Sequence, residues 1–354
     1  MEMTPRERVE AVLKGTGIDH VPFTVYECML PQCEVERQLR NEGLCIHQRR
    51  FGPMKSSTPN CTTETISYTD SETGKGLVKT ITHTPEGDLE QIREPADFTS
   101  WRHELPFKGP DDYPKLIAQA EDTQFEPNYE VYDEARAWLG DDMVLRATIG
   151  YSPLQAIIYT YLGVETFCME WADRREKLME LYDALAAKDR RAFRVMAQSP
   201  FEFIQYCGNV SPAIVGRERF RDLVLPLYNE FGEMLHENGK LYGCHLDDNC
   251  GLLADLIAES ELDYIEAFTP APDTDMSIAD ARKAWPDKVL WTNFPSSVHL
   301  RSQQQIYDTA CRMIDEDAGA QKLIIGITED VPPDRWQENF LTISRACREY
   351  GRYR

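Results

Sequence analysis

From about residue 115 the sequence repeats one pattern, a short apolar run followed by a longer segment with helical spacing. The runs are MVLRATIG, FEFIQYCGN, KLYGCHL, LDYIEAF, KVLWTNF and KLIIGIT. Each has the length and composition of a buried strand, and stretches such as GRERFRDLVLPLYNEFGEMLHENG and GLLADLIAES between them are helical. Strands that alternate with helices imply parallel pairing through crossover connections. With VPFTVYE at 21–27 the count reaches seven, and an eighth, short strand is expected. No glycine-rich phosphate loop follows the first strand, so the pattern favours an α/β fold of the (β/α)8 (TIM) barrel type over an open doubly wound sheet.

The chain has 354 residues, which suits one barrel domain spanning 1–354. Residues 4–15, TPRERVEAVLKG, predict an opening helix with Thr4 as cap, Pro5 in its first turn and Gly15 as its stop. Residues 62–92 alternate β-favouring and polar residues around the turn ETGKG, which predicts an inserted N-terminal β-hairpin or small antiparallel sheet. The proline-rich stretch 94–114 reads as loop. A net charge of −22 disfavours nucleic acid and anionic membranes as partners. There is no apolar run long enough to span a bilayer and no signal-peptide core in MEMTPRERVEAVLKG, so a cytoplasmic protein is expected. The ten cysteines show no framework spacing and read as reduced, mostly buried thiols.

In a parallel barrel the chemistry sits at the C-terminal ends of the strands. That rule brings Tyr26, Glu27 and Cys28 to the mouth, with Arg146, Thr148 and Tyr151 from the next run. Tyr206, Cys207 and Asn209 follow, then His245, Asp247, Asp248 and Cys250, then Glu266, Asn293, Glu329 and Asp330. His245 and Asp247 stand at i and i+2, and Glu329 shares their rim. One imidazole with two carboxylates suits zinc or a harder divalent ion with an open position. The structural alternative is that Asp247 and Asp248 cap the next helix while His245 hydrogen-bonds inside the barrel. Asp248 fits the cap better, His245 and Asp247 fit function better, and Cys250 reads as a buried thiol. Tyr26, Tyr151, Tyr206, Phe268, Trp291 and Phe294 are packing residues one by one, and together they outline an aromatic pocket.

Several segments resemble the uroporphyrinogen decarboxylase superfamily. They are TPRERVEAVLKGTGIDHVPF at the start, SPAIVGRERFRDLVLPLYNEF, WTNFPSSVHL, and the closing IIGITEDVPPDRWQENFLTISRACREYG. The resemblance covers about residues 4–350 and implies a (β/α)8 barrel. The decarboxylases of that superfamily carry an RQAGR-type stretch after strand one, whose arginines hold substrate propionates. This chain reads YECMLPQCEVERQ there, without those arginines. The other branch holds cobalamin-dependent methyltransferases with a His-x-Cys zinc motif and a late cysteine. Here the corresponding positions read His245-Leu246-Asp247 and Glu329, so both thiolates are replaced by carboxylates. Fewer thiolates leave a bound metal more Lewis-acidic, which suits an oxygen leaving group.

The resemblance therefore implies a corrinoid-dependent methyltransferase that demethylates a small methylated donor, such as an aryl methyl ether, in the manner of an O-demethylase. His245, Asp247 and Glu329 are its expected catalytic residues and zinc ligands, or an acid–base set if metal is lost. Tyr26, Glu27, Arg146, Tyr151, Tyr206, Asn209, Glu266 and Asn293 are expected around the substrate, with Glu27 and Glu266 as supporting polar groups. Cobalamin is expected from a partner corrinoid protein. The alternatives are a metal-free decarboxylase or lyase, for which Arg146 is the remaining carboxylate anchor, and a non-enzymatic corrinoid or porphyrin binder.

Overall fold

The computed structural model describes residues 3–96, 99–208 and 210–353. The chain divides into two compact units. The first comprises the chain up to Pro53, Asn128–Ile149, and everything from Met196 onward; the second comprises Met54–Pro127 and Gly150–Val195.

The first unit is a (β/α)8 barrel. Its strands are β1 (Phe23–Tyr26), β2 (Cys45–Gln48), β3, which has the two halves Met143–Leu145 and Ala147–Ile149, β4 (Phe203–Tyr206), β5 (Leu241–His245), β6 (Tyr264–Phe268), β7 (Val289–Asn293) and β8 (Leu323–Ile327). Every neighbouring pair is parallel. The ring closes through β3, whose first half pairs with β2 and second half with β4. At the break between them Arg146 donates its backbone N–H to the Gln48 carbonyl at 3.1 Å. The eighth strand is β2, the four residues CIHQ. Its brevity and its polar second half kept it from standing out as a strand in the sequence.

The opening helix α1 (Pro5–Lys14) forms as its ends dictate. Thr4 Oγ1 accepts from the Glu7 N–H, Glu7 Oε2 accepts from the Thr4 N–H, and Gly15 stops the helix at a φ of 65°. Val9, Val12 and Leu13 then join one apolar cluster with Cys45, Val144, Phe203 and Val289, at or near the starts of β2, β3, β4 and β7. The N-terminal end of the barrel is thus plugged by apolar packing, which leaves the C-terminal end for chemistry. Helix α2 (Glu34–Asn41) precedes β2, and α3 (Leu225–His236) precedes β5. Inside the barrel Gly243 makes room for Tyr264: a Cβ there would lie 2.1 Å from the Tyr264 ring.

The second unit carries the expected hairpin and more. Thr62–Thr69, Gly76–Thr84, Gly87–Ala96 and Thr99–Glu104 form a four-stranded antiparallel meander. The turn around ETGKG is held by Asp70, whose Oδ1 accepts from the backbone N–H groups of Glu72 and Thr73 at 3.0 and 2.7 Å. Thr99–Glu104 corrects the expectation of loop over 94–114. The proline cluster hides this strand; Pro95 is paired with Ser100 inside the ladder all the same. Met54–Ser57 and Gln124–Pro127 form a separate ribbon, and helices Tyr113–Asp122 and Val164–Asp173 are tied by Tyr113 Oη donating to Glu170 at 3.0 Å.

Candidate active site

The end of β5 is where titratable groups converge. His245 is its last residue, and its Nδ1 lies 2.8 Å from Glu266 Oε2 on neighbouring β6. A carboxylate can only accept from a ring N–H, so this bond leaves Nε2 as the outward-facing nitrogen. Asp247 Oδ2 lies 3.4 Å from that Nε2. Glu329 comes in from the segment after β8, and the ligand atoms of His245, Asp247 and Glu329 all lie within 4.8 Å of one another. Donors on one ion at metal–ligand lengths of about 2.0–2.2 Å lie at most about 4.4 Å apart, a spacing close to that of these three groups. One imidazole oriented by a carboxylate, with two carboxylate partners, fits a divalent cation.

Glu266 is the centre of this arrangement and is fully buried. Its carboxylate accepts from Tyr26 Oη, from Gln205 Nε2 at 2.8 Å and from His245. Arg146 Nη1 stands 3.8 Å away and His47 Nδ1 3.9 Å away. Burial alone would raise its pKa, but Arg146 and His245 outweigh that and hold the carboxyl well below the usual range. Burial opposes charge on His245 as well; Glu266 and Asp247 prevail and lift its pKa to about 10. Desolvation, then the charge of Asp247, raises Glu329.

The other expected residues fall into distinct places. Tyr26 is buried against the site, with the Arg49 guanidinium 3.4 Å from its ring centroid. Glu27 is taken up by Arg49, at 3.1 Å, and by Arg50, at 3.5 Å, rather than facing the cluster. Arg146 is buried inside the barrel as the counter-charge of Glu266. Asn293 accepts from the Thr328 N–H at 3.0 Å and so ties the end of β7 to the segment that carries Glu329. Tyr206 is a correction: it packs on Tyr228 and Phe231 of α3, with centroids 6.0 and 5.9 Å away. Successive strand residues face opposite sides, and its neighbour Gln205 takes the inward position. Tyr151 belongs to the second unit, where its ring lies 5.6 Å from Tyr159. Asn209 lies outside the described residues.

The expected aromatic pocket is only partly formed. Trp291 faces inward and stacks on His47 at 4.1 Å. Phe268 packs on Trp285 and Phe294 on His299 instead. A register shift in β6 at Ala267, whose φ of 57° is unusual for a non-glycine residue, separates Phe268 from the alternation of Tyr264 and Glu266. Asp248 accepts from the next N–H, of Asn249, rather than capping the helical turn Gly251–Leu253; Asp275 accepts from Gly251 N–H there. Cys250 is the expected buried thiol.

The sequence reading missed His47 and Gln205. His47 lies on the overlooked β2, edge-on to Tyr26 and close to Glu266; burial first, then Arg146, keeps its pKa well below the usual value, so the ring is neutral. A lone histidine in a short run between Gly43 and the following loop was the available signal. Gln205 was one residue out of phase with the residue selected.

A family model for uroporphyrinogen decarboxylase matches residues 102–350. The chain belongs to the uroporphyrinogen decarboxylase family. No curated protein matches it. Among solved structures, a methyltransferase from Methanosarcina mazei shares 14% identity over 99% of both chains with a TM-score of 0.59, so this family member has the fold of that protein. A sugar phosphate isomerase/epimerase from Parabacteroides distasonis aligns over 93% of this chain and 92% of its own, at 11% identity and a TM-score of 0.38, too distant to bear on the fold. Among the described residues no helix is long and apolar enough to cross a membrane.

Proposed function

We propose that this protein is a cytoplasmic methyltransferase that demethylates a small methylated donor, such as an aryl methyl ether, and passes the methyl group to cobalt(I) of a corrinoid carried by a partner protein. The observation that carries the reading is the convergence of His245, Asp247 and Glu329 at the C-terminal rim, with Glu266 fixing the His245 ring. His245, Asp247 and Glu329 would hold a divalent ion, zinc by preference, and the ion would supply Lewis acidity at the donor oxygen. As the methyl carbon leaves, the C–O bond breaks and its electron pair stays on oxygen. The chain's task is to stabilise that oxygen and keep the site dry. Glu266 holds the His245 Nδ1 proton and aims Nε2 at the rim. Tyr26 and Gln205 hold Glu266 in turn, so the acceptor of that proton cannot rotate freely.

Elemental analysis of the purified protein and of His245→Ala tests this directly. About one zinc per chain in the wild type, lost in a folded His245→Ala together with methyl transfer, is the expected result. A fully active His245→Ala would end the assignment. One observation favours a second reading, a metal-free lyase on a carboxylated substrate: Arg146, buried in the barrel, has no hydrogen-bond partner at Nε or Nη1. No metal in either protein, with loss of carbon dioxide from a porphyrinogen, would bring that reading forward.

A further inference from the structure

At the opposite, N-terminal end of strands β1 and β2 lies a cleft of about 820 Å³, entirely within the first unit. That volume is in the range of small-molecule sites. Four arginines line it, Arg8, Arg40, Arg348 and Arg352, against two acids, Asp19 and Glu42. In a chain of net charge −22 such a concentration of guanidinium groups is out of keeping with the rest of the composition.

What these arginines leave unmade points to a ligand. Arg40 is committed elsewhere, to Asp142 at 2.5 Å and Glu36 at 3.0 Å. The Arg8 side chain is 2% exposed; Asp19 fixes its plane through Nε and Nη2 at 2.6 and 2.9 Å. Its third nitrogen, Nη1, is buried and has no partner. That atom lies by Gly43 in the cleft wall, 3.7 Å from where a side chain on Gly43 would begin, and His20 Nε2 lies 3.9 Å from the same point. Arg348 gives Nη2 to Glu42 at 2.7 Å, and its buried Nε is likewise unpartnered. Arg352 is exposed at the edge, anchored by its Nε on the Arg348 carbonyl at 2.9 Å. Buried donors are seldom left unmade in folded proteins, and guanidinium groups match phosphate and carboxylate oxygens in geometry.

We infer that this cleft binds a small polyanion, a compound with two or more phosphate or carboxylate groups, through Arg8, Arg348 and Arg352. Asp19 holds Arg8 in place, and Glu42 competes with the ligand for Arg348. The site is separate from the His245 cluster, and the inference does not depend on the proposed methyl transfer. The electrostatics of the neighbouring imidazole agree: burial first, then Arg8, with smaller contributions from Arg352 and Arg348, lower His20 to about 4 despite Asp19 beside it.

Calorimetric titration of the full chain with pyrophosphate and, separately, with citrate tests the inference and distinguishes the two anion chemistries. Binding of at least one probe is expected, weakening as salt rises. Arg352→Glu should weaken it about tenfold or more, the loss of one charge-assisted contact and its replacement by repulsion. Glu42→Gln should tighten it by releasing Arg348, a gain that a damaged fold could not produce. His245→Ala should leave it unchanged. Absence of binding by both probes at low salt, or binding equal in the wild type, Arg352→Glu and Glu42→Gln, overturns the inference.

Discussion

At the scale of single residues the site turns on Glu266, which the sequence marked only as a supporting group. Its importance comes from what surrounds it: three hydrogen-bond donors and a buried arginine gather on one carboxylate. Glu266→Gln keeps the shape and removes the charge. It leaves Arg146 buried without its counter-charge and His245 without the acceptor that orients it. Removing one member of a buried ion pair costs about 3–5 kcal/mol. In the proposed metal site, losing the group that orients His245 would weaken the metal by about 10–100-fold. Denaturant unfolding and zinc titration of Glu266→Gln should therefore both move, by those amounts. A variant with unchanged zinc affinity would reduce Glu266 to a packing group. Tyr26→Phe deletes one donor from the same charged carboxylate and should cost less, about 1.5–3 kcal/mol in the same unfolding assay.

At the scale of elements, strand parity decides what the sequence can and cannot reveal. The β-then-α rhythm made the barrel legible, and the strand-end rule brought out His245, Asp247 and Glu329, because each follows an apolar run with a clear end. Tyr206 and Gln205 show the limit. Both sit at the end of β4, and only the pairing tells which one faces Glu266. The register shift at Ala267 cannot be read from YIEAF, because it arises from backbone geometry that no side chain announces. The strand carrying His47 escaped because four residues are too few for a period to show. Gly243 gives this scale its test. It faces Tyr264 across β5 and β6, whose hydroxyl donates to the Ile204 carbonyl on β4 at 2.8 Å. Gly243→Ala drives a methyl group into that ring and should destabilise the barrel by about 1–3 kcal/mol, read as a lower thermal midpoint. An unchanged midpoint would mean that the ring and its bond to β4 can move aside without loss.

At the scale of the whole molecule, the protein folds with imidazoles held neutral in its interior. His20 and His299 are both buried, and burial before all else lowers each to about 4 from an ordinary value near 6.5. Between those two pH values the unfolded chain binds protons that the folded chain does not. Stability therefore rises with pH across that window, is fully present above pH 6.5, and is lost as pH falls toward 4. Each such histidine contributes a slope of up to roughly 1.4 kcal/mol per pH unit within the window. Asp317 acts in the opposite sense: burial raises its carboxyl against the pull of Arg282, so its contribution weakens as pH rises past the ordinary carboxyl value. Two imidazoles lose protons on folding against one carboxyl that holds its proton longer, so between pH 5 and 6.5 the sign of the histidines should prevail. Unfolding free energies measured at half-unit steps from pH 4.5 to 7.5 should fall on acidification below pH 6.5; above it the raised pKa of His245 works the other way. In the double variant His20→Asn and His299→Asn the slope across pH 5–6.5 should shrink, whatever the variant's stability at pH 7.5. A double variant with the wild-type slope would show that other groups carry the acid response, and that these two buried rings lose no protons on folding.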